Sequence, residues 1–114
     1  MHITPDSMEA SYELLRTTLP FRRWNLPHPD KLDFRVLVTR ERYGHFRAYT
    51  NSDLVGEIAV STKVKTLHML NEVMGHEMVH IRQEALVYRD FHGKHFQRLA
   101  KLVCQRHGWN LASF

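Results

Sequence analysis

Residues 76 to 80 read His76-Glu77-Met78-Val79-His80, and His92-Gly93 begins twelve positions after His80. No other stretch constrains the fold as tightly. Residues i and i+4 share a helix face one turn apart, so a helix through this segment aims two imidazoles at one point. Glu77 is then carried beside that point rather than onto it. Three nitrogen ligands and an adjacent carboxylate suit hydrolytic zinc chemistry: catalytic zinc takes three protein ligands and keeps one position open, and the glutamate serves as general base.

The third ligand has to come from outside the pentapeptide. No Asp or Glu follows Asp90, which excludes the class of HExxH enzymes whose third ligand is a distant glutamate. The HExxHxxGxxH pattern would need glycine at 83 and histidine at 86, where the chain has Gln83 and Leu86. His92, His95 and His107 remain, with Glu84 a poor outsider. His92 fits best. A last helix starting near Asp90 places His92 on one stripe with Phe96, Leu99 and Val103, and that stripe should pack inward. His95 is rotated from it, and His107 lies roughly 22 Å further along the axis at about 1.5 Å per residue. Zn2+ held by His76, His80 and His92, with Glu77 as general base, is the resulting expectation. His95, Tyr88 and Arg98 are weak candidates for stabilising an oxyanion. His2, His28, His45 and His68 receive no role.

The rest of the chain supplies a scaffold of α+β class, one domain over 1–114. Thr4-Pro5 opens a first helix with Met8, Tyr12, Leu15 and Leu19 as its apolar stripe. Pro20, Pro27 and Pro29 mark an irregular connection. Period-two alternation then predicts three strands, at 32–39 (Leu32, Phe34, Val36 and Val38 on one face), 45–50 and 55–61. The short connections at 40–44 and 51–54 predict a three-stranded antiparallel sheet. A helix over about 65–88 carries the histidine pair, and a C-terminal helix ends near Gly108. Substrate could add a strand along residues 55–61, taken as the sheet edge. Gly75 is a candidate for close packing, and Cys104, Trp24 and Trp109 read as packing residues.

A single cysteine leaves no internal disulfide and no thiolate zinc ribbon. No stretch approaches the roughly 20 apolar residues of a membrane span. The first residues show no signal-peptide pattern, so a cytoplasmic protein is expected. The net charge of +4 is spread along the chain and reads as a solvated basic surface.

Residues 44 to 100 resemble the SprT-like (Spartan-type) zinc metallopeptidases. Gly44 precedes the second strand, and Gly56-Glu57-Ile58-Ala59-Val60-Ser61 looks like the family's G-x-I-x-[LV]-S strand. His76-Glu77-Met78-Val79-His80 matches its HExxH, and His92-Gly93-Lys94-His95-Phe96 its H-G-x-x-F block. The resemblance implies a zincin-like fold, a third zinc ligand at His92, a catalytic Glu77 and a protein or peptide substrate. Proteolysis is DNA-stimulated in some relatives, so DNA association is a secondary expectation. The family's common H-G-P-E-F form is here His92-Gly93-Lys94-His95-Phe96, with a histidine in the acidic position. Without the ribbon or DNA-binding tail of many relatives, the sequence reads as a minimal catalytic core. Two rival classes are a non-catalytic zinc-containing DNA-binding or adaptor module and another metal-dependent hydrolase. An intact Glu77 argues against the first, because a structural site has no use for an adjacent base.

Overall fold

The computed structural model describes residues 1–87 and 91–114. It is an α+β fold of three helices and one three-stranded sheet, joined by short 3-10 turns. Helix α1 (Pro5–Arg16) starts where the sequence places it. The Thr4 hydroxyl accepts from the Ser7 N–H and the Ser7 hydroxyl accepts from the Thr4 N–H, a reciprocal cap with proline at the first turn. Met8, Tyr12 and Leu15 bury its inner face, whereas Leu19 lies beyond its end. The proline-rich connection is irregular but not superficial. Phe21, Trp24 and Leu26 join the core, and the Tyr12 hydroxyl donates to the Pro27 carbonyl at 2.6 Å.

Strands β1 (Leu32–Leu37), β2 (Gly44–Ala48) and β3 (Gly56–Ser61) form a mixed sheet in the order β1-β3-β2. This corrects the antiparallel expectation. β2 and β3 do form an antiparallel hairpin, with Phe46 opposite Ile58. β1, however, pairs parallel to β3, with Phe34 opposite Ile58. The cause is the position of β3, which is buried at all six residues and therefore takes the centre, with a partner on each side. The segment between β1 and β2 arches over the end of β3 instead of making a tight turn. The Ser61 hydroxyl donates to the Thr39 carbonyl at 2.6 Å, the Ser61 N–H to Tyr43 and the Thr62 N–H to Leu37. Val38, expected to point inward, is part of that arch and 92% exposed.

Helix α2 (Leu67–Ala85), capped by the Thr66 hydroxyl, runs across the sheet. It buries Leu70, Met74, Met78, Val79 and Ile81 against α1, the sheet and α3. Helix α3 (Lys94–His107) buries Phe96, Leu99 and Val103, and Gly108 ends it in the left-handed conformation at φ 74°. Its cap is Gly93, so His92 precedes the helix and does not share its face as expected. Asp90, expected to cap it, lies outside the described residues, as does Tyr88. Among the described residues no helix is long and apolar enough to cross a membrane.

Candidate metal centre

One face of α2 meets the turn before α3. His76 and His80 project from successive turns of α2, and His92 closes over them. One nitrogen from each lies within 4.8 Å of the others. The His92 Nε2 is 3.1 Å from the His76 Nε2 and 3.0 Å from the His80 Nε2. Nitrogens about 2.0–2.1 Å from one tetrahedral ion stand about 3.3 Å apart, so these two separations are those of groups close enough to share a metal ion. The rings also share a floor. Phe96 packs against all three, with centroids 4.9 Å from His76 and 4.8 Å from both His80 and His92. The Phe96 ring thus underlies all three imidazoles, and Phe114 closes the His76 side at 5.3 Å.

The electrostatics favour neutral imidazoles. Burial, reinforced by His80 and His92, brings the His76 pKa down to about 4, while the Phe114 main chain acts weakly the other way. Burial likewise lowers His80, with His92 adding to the effect and Gln83 opposing it. Neutral nitrogens are the form that ligates. Glu77 is 4% exposed, and burial raises its carboxyl to about 8 against the opposing pull of the Phe46 main chain and Arg42. A base near neutrality is matched to proton transfer at physiological pH.

Strand β2 forms the opposite wall. Two cavities meet at Gly44, His76 and Glu77. One, of about 390 Å3, adds Tyr43, Met69, Val73 and Phe114. The other, of about 340 Å3, adds Phe46, Ala48, His80, Gln83, Phe91 and His92. Gly44 is required at this wall, because a Cβ there would stand 2.6 Å from the Ala59 carbonyl and 3.6 Å from the Glu77 Oε2. The edge beside the site is β2, not residues 55–61, since β3 is paired on both sides. Tyr43 accepts from Ser61 and Tyr49 donates to Val55, so the odd-numbered residues of β2 face β3. Antiparallel alternation then turns the main-chain groups of Gly44, Phe46 and Ala48 toward the edge that pairs with no strand among the described residues, where the Phe46 main chain meets the Glu77 carboxylate.

His76, Glu77, His80 and His92 are therefore brought together as expected. His95 is buried on α3 and Arg98 is exposed, and neither lines the cleft. His107 packs against Phe21 and Trp109. Gln83 and Phe114 shape the site without any sequence signal of their own. Gln83 entered only as a residue incompatible with another pattern, and Phe114 reaches His76 through tertiary packing alone. Gly75 does permit a close approach, but to the Trp109 ring, which a Cβ would meet at 2.6 Å. No family model, curated protein or solved structure matches the chain.

Proposed function

We propose that this chain is a zinc-dependent endopeptidase of zincin-like architecture, as the SprT-like resemblance implies. The observation that carries the reading is the convergence of three imidazoles beside a buried carboxylate, in a cleft bordered by a free strand edge. His76, His80 and His92 would hold the zinc. When bound, zinc polarises a peptide carbonyl and brings the pKa of water near neutrality. Glu77 accepts the proton of the attacking water at its carboxylate and delivers it to the leaving amine. An extended peptide pairs with the free edge of β2, which sets its carbonyl opposite Glu77 and places neighbouring side chains in the two cavities.

The test is purified protein with measured zinc content, assayed on an unfolded protein such as casein, with and without DNA. Zinc at one equivalent and chelator-sensitive cleavage are expected. Glu77→Gln should keep the zinc and lose cleavage by about 10²–10⁴-fold. Full cleavage by that variant would refute the reading. A nuclease and phosphoesterase panel separates it from other hydrolases, and zinc without any turnover would favour an adaptor.

A further inference from the structure

Gln83 stands one turn past His80 near the end of α2 and is 3% exposed. Its Oε1 lies 2.9 Å from the His80 Nδ1. On the other side of the ring, the His80 Nε2 faces the His92 Nε2 at 3.0 Å. A neutral imidazole carries one proton, so the group beside one nitrogen decides what the other can do. A carbonyl oxygen only accepts. Set against Nδ1, it holds the proton there and leaves the Nε2 lone pair facing the cluster. The spacing is helical, so ring and amide are fixed by one rigid element, and burial keeps water from replacing the amide.

We propose that Gln83 is a positioning residue that holds His80 as the Nδ1–H tautomer, with Nε2 turned to receive a metal ion. This deepens the zinc reading and rests on it for its metal-binding consequence. The side chain that excludes a glycine-containing motif at position 83 thereby acquires a task. An amide suits it better than a carboxylate in one respect: it orients the ring without adding a second buried charge beside Glu77.

Two measurements test it. In zinc-free protein, ¹⁵N shifts of histidine-labelled wild type should report His80 with its proton on Nδ1. A proton on Nε2 overturns the proposal, and this result is independent of zinc binding or proteolysis. Zinc affinity by chelator competition should fall about 10–100-fold in Gln83→Leu. It should stay within a few-fold of wild type, or tighten, in Gln83→Glu, which keeps an acceptor at the same atom. A purely structural role would lower the melting temperature of both zinc-free variants and leave zinc affinity unaltered. Equal losses of affinity in both variants, or none in Gln83→Leu, overturn the assignment. Failure of wild type to bind zinc would instead remove the metal reading and leave the tautomer measurement standing.

Discussion

Glu77 illustrates what the site costs at the scale of one residue. Its carboxyl sits at about 8 because burial disfavours the charged form. A carboxyl raised above its unfolded value weakens the folded state as pH rises from about 4.5 toward 8, since the folded protein then holds the extra proton. In zinc-free protein, Glu77→Gln should therefore gain about 1–2 kcal/mol near pH 8 and almost nothing at pH 4, read by denaturant melts. The variant that loses cleavage should be the more stable one. Phe96 sets the opposite balance. Its ring lies against all three histidines and is 1% exposed. Phe96→Ala should lose about 3–5 kcal/mol of stability and weaken zinc binding in the same titration.

At the scale of elements, β2 joins fold to function. A proline at Ala48 would remove a main-chain N–H on the free edge and spare the hairpin bonds to β3, a placement edge strands tolerate. Ala48→Pro should raise the KM for extended peptides about tenfold with little change in kcat, whereas an unchanged KM would show that substrate does not pair there. Gly75 makes a second case. Glycine to alanine inside a helix usually gains about 1 kcal/mol. Here the new Cβ would strike a Trp109 ring stacked between His107 and Phe114, so Gly75→Ala should instead lose about 1–3 kcal/mol, with a shift in tryptophan fluorescence. Helices α1 and α2 and the histidine pair were legible because caps and three-four spacing are local signals. The sheet order was not. The alternation in β1 and the short loops are compatible with either topology, and only the burial of Glu57 and Ser61 on β3 reveals which strand is central. Glu57 tolerates that position through Arg35 at 2.9 Å and His45 at 2.8 Å, partners that come from both flanking strands. The placement of His92 was legible in proximity but not in conformation, because a helix start capped by glycine leaves little trace in side-chain periodicity.

For the molecule as a whole, three half-buried histidines shape the response to acid. Burial lowers His76 to about 4, and it also lowers His80 and His107. Folded pKa values below the unfolded value of about 6.5 mean that the unfolded chain binds more protons in between. Their contribution to zinc-free stability should then be fully present above about pH 6.5 and be lost as pH falls toward 4, against the opposite contribution of Glu77, with zinc released over the same window. In Glu77→Gln, where the opposing carboxyl is gone, a midpoint that stays level between pH 7 and 5 would contradict this. The turn carrying His92 has a mechanical consequence as well. A metal shared between α2 and the residue just before α3 is a cross-link that closes a loop of about a dozen residues, worth on the order of 3 kcal/mol by loop-closure entropy. Zinc would thus be a clasp at the junction of the last two helices, and amide exchange at the first turn of α3 should slow when it is fastened and quicken when a chelator opens it.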